Sequence, residues 1–184
     1  MTAARCIAVA ILLVGTTAAQ ARSIKDAPRE SPANVTLPAE GEPGEPMILT
    51  ITVEDAAGKP VDNALVYAFH TDAKGSYGPA GNEDPRIFAY ARTRADGKVT
   101  LRTIRPGPYP QGSVPAHVHV EVDGGGGAPV LYDECWFAGD RYLREDVIEH
   151  ERKRGRLSRV VALRKEKAVW RGDWVVQLPG SAKH

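Results

Sequence analysis

Short apolar runs, several alternating with polar residues, recur along this chain between turn signals. Residues 47–53 (Met47-Ile48-Leu49-Thr50-Ile51-Thr52-Val53) have the composition of a strand and stop at the turn Asp55-Ala56-Ala57-Gly58. Residues 65–69 form a second run. Asp96-Gly97 is a hairpin signal ahead of a third, residues 98–104. Residues 116–122 alternate around His117, His119 and Glu121. The glycines Gly124 to Gly127 then make a turn before residues 130–137. Late strands are expected at residues 159–163 and 174–178. No run has the length and period of a long core helix. The pattern predicts an all-β fold, a β-sandwich with a short late helix.

The ends of the chain change the picture. Residues 22–46 hold several prolines and glycines, few large apolar residues and no periodicity, and are expected to form a flexible, extended arm. Residues 1–21 read as a signal peptide. Arg5 charges the start, residues 7–14 are apolar but too short to span a bilayer, and Ala19-Gln20-Ala21 fits small-x-small cleavage. The mature chain is then expected to begin at Arg22 and to be exported, to the periplasm or the medium, with no membrane association after cleavage. The sandwich domain is assigned to residues 47–180. Cys6 leaves with the signal, so Cys135 stands alone and no internal disulfide forms. The formal charge is +1 over 184 residues, with no basic stripe, which argues against a nucleic-acid partner. The mixed-sign stretch 141–159, with His150 inside it, is expected to be a solvated helix or loop.

The candidate chemistry lies in the middle of the chain. Thr103-Ile104-Arg105-Pro106-Gly107-Pro108-Tyr109-Pro110 is followed by His117-Val118-His119. Side chains two apart on a strand share a face, so both imidazoles can reach one metal ion. Tyr109 sits on a turn pinned by proline and glycine, and Tyr77 sits in the turn Gly75-Ser76-Tyr77-Gly78. Two phenolate oxygens and two imidazole nitrogens suit a hard, highly charged cation, Fe(III) above all.

The chain resembles the intradiol ring-cleavage dioxygenases, the protocatechuate and catechol dioxygenase family, over roughly residues 47–178. The matching pieces are residues 55–64, Val66 to Asp72 with Gly75-Ser76-Tyr77, residues 92–98, the Thr103 to Pro110 block, Pro115-Ala116-His117-Val118-His119-Val120, and Trp136-Phe137-Ala138-Gly139-Asp140. The resemblance implies that Tyr77, Tyr109, His117 and His119 are the ligands of Fe(III). It implies that Tyr109 and His119 are axial, with Tyr77 and His117 equatorial beside a bound hydroxide. It further implies that a catechol binds as a dianion, its protons taken by the hydroxide and Tyr109. Oxygen would then attack the electron-rich ring, with cleavage between the two hydroxyl-bearing carbons to yield a muconate-type diacid. The partners so implied are a small aromatic diol and O2, and a homo-oligomer is left open. The helical domain that catechol dioxygenases carry ahead of the sandwich has no counterpart here.

Three substrate-pocket positions depart from the family pattern. Phe69 replaces a tryptophan. Val114 replaces an arginine three residues before the first histidine, removing a cationic donor. Glu134 replaces a glutamine, and a carboxylate beside a dianionic catecholate is repulsive unless it is protonated or paired. Arg105 and Arg141 are the cations available to compensate, and Glu134 has the alternative of turning away into a salt bridge. Two other functions stay open. One is a catalytically weak or inactive binding module of the transthyretin-like or carboxypeptidase-regulatory-like kind. The other is a cupin-type metal enzyme, for which Glu121 lies too close to the histidine pair.

Overall fold

The computed structural model describes residues 22–37, 41–79, 84–112, 114–127, 130–155 and 157–180; the expected signal peptide lies outside them. Two five-stranded sheets face each other. The first has the order β1 (Asn34–Thr36), β5 (Lys98–Ile104), β2 (Pro46–Glu54), β10 (Val169–Gln177), β9 (Arg164–Glu166). The second has the order β4 (Ile87–Arg92), β3 (Leu65–His70), β6 (His117–Asp123), β7 (Leu131–Phe137), β8 (Val160–Val161). One α-helix, α1 (Glu145–Lys153), joins β7 to β8. The architecture is the all-β sandwich that the alternation predicts, with its short late helix. No helix among the described residues is long and apolar enough to cross a membrane.

Alternation decides which face of each strand meets the core. In β2, Met47, Leu49, Ile51 and Val53 point inward and are almost wholly buried. They pack with Val66, Ala68, Val118, Val120, Val122, Cys135 and Phe137 from the other sheet. The opposite face of the second sheet is also covered, by aromatic rings. Tyr67 stacks on Phe69 and on Tyr90, and Phe88 meets Tyr67 edge-on. This second cluster includes Ile24 from the N-terminal segment, whose amide donates to Glu121 Oε2 at 2.8 Å.

Three strands differ from the sequence expectation. β1 lies within the 22–46 segment and pairs parallel to β5 through Asn34↔Thr100 to Thr36↔Arg102. β4 hides its period because Phe88 and Tyr90 on its outer face are apolar as well. β9 is three exposed polar residues, held by pairing with β10 rather than by burial. The charged stretch 141–159 is corrected in part. Most of α1 is exposed, His150 included, but Glu151 and Arg159 are buried.

His70, on the core side of β3, is fully enclosed. Its Nδ1 lies 2.6 Å from the Thr71 carbonyl and its Nε2 2.6 Å from Thr103 Oγ1. Burial, partly opposed by the Thr71 carbonyl, lowers its pKa from 6.5 to about 4. Below pH 6.5 the unfolded chain therefore takes up a proton that the folded chain refuses. Stability is expected to fall from pH 6.5 toward pH 4, by at most about 1.4 kcal/mol per pH unit from this residue. Urea denaturation of wild type and His70→Gln across that window checks it. The variant should show the shallower slope, and equal slopes would reject the assignment.

Candidate metal centre

The site is built at one end of the second sheet from three segments. In β6 the alternation sends Val118 and Val120 into the core and His117 and His119 to the opposite face. Both histidines are buried, at 5% and 7% exposure. They stand beside Trp136 and Glu134 of β7, through the pairs His117↔Trp136 and His119↔Glu134. Phe69 of β3 is paired with His119 and stacks on its ring at 4.8 Å.

The tyrosines come from two loops that interlock. The 72–76 turn is closed by Asp72, whose carboxylate accepts from the amides of Lys74 and Ser76. The loop after β5 docks on it: the Gly107 amide donates to the Asp72 carbonyl at 2.8 Å, and Thr71 Oγ1 donates to the Gly107 carbonyl at 2.9 Å. Two glycines permit this approach. Gly75 has φ +83°, and a Cβ there would lie 1.9 Å from the Pro108 carbonyl oxygen. A Cβ at Gly107 would lie 2.5 Å from the Ala73 carbonyl oxygen. The interlock brings the Tyr77 and Tyr109 hydroxyls to 2.7 Å from each other.

The four rings form one cluster. Tyr109 meets His117 edge-on at 5.2 Å between centroids, His117 meets His119 at 4.3 Å, and Tyr77 lies 6.5 Å from His119. The two Nε2 atoms are 2.8 Å apart. His117 Nδ1 is 2.6 Å from the Pro115 carbonyl, which can only accept, so Nδ1 carries a ring proton and Nε2 is the atom left to face the centre. His119 Nδ1 lies 2.6 Å from Tyr132 Oη, which can donate or accept, and 3.5 Å from Glu134 Oε2, which can only accept. The two Nε2 atoms are thus close enough either to share one proton or to bind one metal ion side by side.

The electrostatics point the same way. Burial first, then His117, Arg159 and His70, hold His119 down to about 3, so it is a neutral donor at any ordinary pH. Burial first, then the hydrogen bond with Tyr109, pushes the Tyr77 hydroxyl far above its usual range. Such a phenol ionises only against a strong positive charge, so the donor set fits a highly charged metal ion.

The pocket positions fall out differently. Phe69 lies against the cluster. Val114 is half-buried, one residue before the Pro115 that holds His117. Glu134 takes the salt-bridge alternative without leaving the site. Its Oε1 is 3.2 Å from Arg159 Nη2 while its Oε2 faces His119. Glu134, His117 and His119 also have potential ligand atoms within 4.8 Å of one another. The carboxylate, however, addresses Nδ1 of His119, whereas Nε2 faces His117 and the tyrosines. Arg105 and Arg141 line a separate cavity of about 580 Å³, walled by Pro106, Gly107, Pro108 and Ala116, that includes none of the four rings. Arg105 there lies over Trp170 and Arg141 over Tyr142. Tyr132 and Arg159 join the site without being singled out by the sequence. A signal for Tyr132 does exist, because it lies two positions before Glu134 on the same strand face. Arg159 has none, since only the path of the chain after α1 turns it inward.

Comparison with known proteins identifies relatives of the whole sandwich. Residues 23–170 match the family model described as Dioxygenase. The chain is 35% identical over 121 residues to the protocatechuate 3,4-dioxygenase beta chain of Burkholderia cepacia, covering 59% of this chain and 52% of that protein. It is 29% identical over 135 residues to chlorocatechol 1,2-dioxygenase of Rhodococcus opacus, covering 62% and 52%. The match thus spans about half the length of these relatives. Among solved structures, the dioxygenase domain of a carbohydrate-binding fusion protein from Streptomyces sp. SirexAA-E superposes with a TM-score of 0.63 at 26% identity, over 84% of this chain and 93% of that one. An intradiol ring-cleavage dioxygenase from Tetranychus urticae shares the fold, with a TM-score of 0.62 at 16% identity, over 86% and 92%. With a family model matched over most of its length, this chain belongs to the intradiol ring-cleavage dioxygenase family.

Proposed function

We propose that this protein is an Fe(III)-dependent intradiol dioxygenase that opens the ring of a small aromatic diol with O2 to give a muconate-type diacid. The observation that carries the reading is the convergence of Tyr77, Tyr109, His117 and His119 from three segments, with Nε2 atoms 2.8 Å apart and hydroxyls 2.7 Å apart. Those four residues would hold the ion, and ferric iron, when bound, would supply the positive charge that favours loss of the diol's hydroxyl protons, leaving an anion electron-rich enough to react with O2. The chain's own residues do the rest. Tyr109 Oη is the base that accepts a hydroxyl proton of the incoming diol. His117 and His119, each held by an Nδ1 partner, stay in place as donors. Phe69, flat against His119, keeps water off one side of the centre. A binding module without chemistry would have no use for four donors converging from two interlocked loops and a strand.

Purified protein tests this directly. A burgundy-red solution with bound iron, and O2 uptake on adding catechol or protocatechuate, is the expected result. Colourless protein that takes up no iron would overturn the reading. Val114 limits the rate, because the family's cationic donor is missing at this position. A donor removed from an active site typically costs about 2.7–4 kcal/mol. Val114→Arg alone is therefore expected to raise turnover of plain catechol, up to roughly 100-fold. No gain in an oxygen-electrode assay would show that position 114 does not address the substrate.

The reading includes export. Cleavage ahead of Arg22 would turn its backbone nitrogen, which donates to Asp84 Oδ1 at 3.2 Å, into an ammonium facing that carboxylate. Amino-terminal sequencing of the exported protein should begin at Arg22, and an intact Met1 would reject it.

A further inference from the structure

By its charge alone Glu134 burdens the site, and its surroundings reverse that expectation. On β7, Tyr132 and Glu134 lie on the same face as His119 of β6. The Tyr132 hydroxyl is 2.6 Å from His119 Nδ1, and Glu134 Oε2 is 3.5 Å from the same atom. Behind them sits Arg159, its side chain 9% exposed. Its Nη2 holds Glu134 Oε1 at 3.2 Å, its Nε holds Asp133 Oδ1 at 2.7 Å, and its Nη1 holds Glu151 Oε2 of α1 at 3.3 Å. Nε also donates to the Glu134 carbonyl at 3.0 Å.

We propose that Tyr132, backed by the Glu134–Arg159 pair, is a positioning residue for His119, holding the ring proton on Nδ1 and the lone pair on Nε2. A phenol oxygen donates or accepts, so Tyr132 can take the Nδ1 proton once Nε2 binds a metal, and the carboxylate, which only accepts, favours that arrangement. An amide at position 134 could present either its oxygen or its NH2 group; the carboxylate presents acceptors alone. Arg159 supplies the charge that keeps Glu134 tolerable beside a negatively charged substrate and fixes its side chain from the far side. Since Arg159 also grips Glu151, the orientation of His119 is tied to α1. The departure at Glu134 is therefore part of the ligand's support, and Tyr132 is the member that touches the ring.

The inference rests on the metal reading above, and the test separates the two. Tyr132 is 55% exposed, so Tyr132→Phe removes the hydroxyl without opening the core. Mature wild type, Tyr132→Phe, Glu134→Gln and Tyr132→Phe/Glu134→Ala would be loaded with Fe(III). Affinity is read by chelator competition, the tyrosinate-to-iron band by visible spectroscopy, and folding by thermal melts of the metal-free proteins. Loss of a hydrogen-bond partner behind a metal-bound histidine typically costs about 10–100-fold in metal affinity. Tyr132→Phe is expected to fall in that range and to shift the visible band, with its metal-free melt unchanged. The double variant should lose more than Tyr132→Phe, and Glu134→Gln should lose least. If wild type holds iron and Tyr132→Phe matches it in affinity and spectrum, the positioning role is wrong and the metal reading stands. If wild type binds no iron, both fall.

Discussion

His117→Ala should empty the centre of iron while leaving a folded sandwich. His117 is a buried ring whose Nε2 lies 2.8 Å from that of His119, and its loss removes one of the two nitrogen donors that face the centre. The expected loss exceeds the roughly 10–100-fold that follows removal of a ligand's hydrogen-bond partner. Tyr109→Phe is expected to behave differently. It deletes the base but leaves both histidines and Tyr77, so iron should be partly retained while ring cleavage is lost. Metal analysis and oxygen uptake on the two variants, measured together, distinguish a pure ligand from a ligand that also moves a proton. Equal, full iron occupancy in His117→Ala and wild type would remove His117 from the centre.

Gly75→Ala is expected to damage both stability and iron binding although Gly75 has no side chain to offer a metal. Its φ of +83° is costly for alanine, about 1 kcal/mol, and the new Cβ would meet the Pro108 carbonyl oxygen at 1.9 Å. Relieving that overlap costs about 1–3 kcal/mol more. The movement that relieves it also separates the Tyr77 turn from the Tyr109 loop and pulls apart hydroxyls now 2.7 Å from each other. Gly126→Ala is the control. Its φ is +68°, and a Cβ there would have nothing within 4 Å, so it should carry the backbone penalty alone and keep its iron. Chemical denaturation and iron content decide the matter. Equal costs at the two positions would mean the loops do not depend on their close approach.

The sandwich and its principal strands follow from local chemistry. Strand alternation is a property of the backbone, so Met47, Leu49, Ile51 and Val53 announce an inward face without knowledge of what they meet. The shared face of His117 and His119 follows from the same two-residue period. β4 escapes that logic because the aromatic cluster and Ile24 cover its outer face, which removes the polar half of the pattern. The N-terminal segment likewise shows no period, since β1 spans only three residues and is held by its pairing with β5.

The candidate donors are legible as residue types, and their convergence is not. Tyr77 and Tyr109 are separated by 32 positions, and only the docking of Gly107 on Asp72, with Gly75 against Pro108, brings their hydroxyls together. Such a contact depends on backbone meeting backbone across two loops, which composition does not encode. The environment of Glu134 is also beyond local reading. In the sequence it is a carboxylate at a position where the family carries an amide. In the fold, the chain leaving α1 returns Arg159 beneath it, so its charge is balanced and its other oxygen faces His119. Residue identity determines which atoms can donate, accept or carry charge; the tertiary path determines which of them are near enough, and dry enough, for that capacity to act.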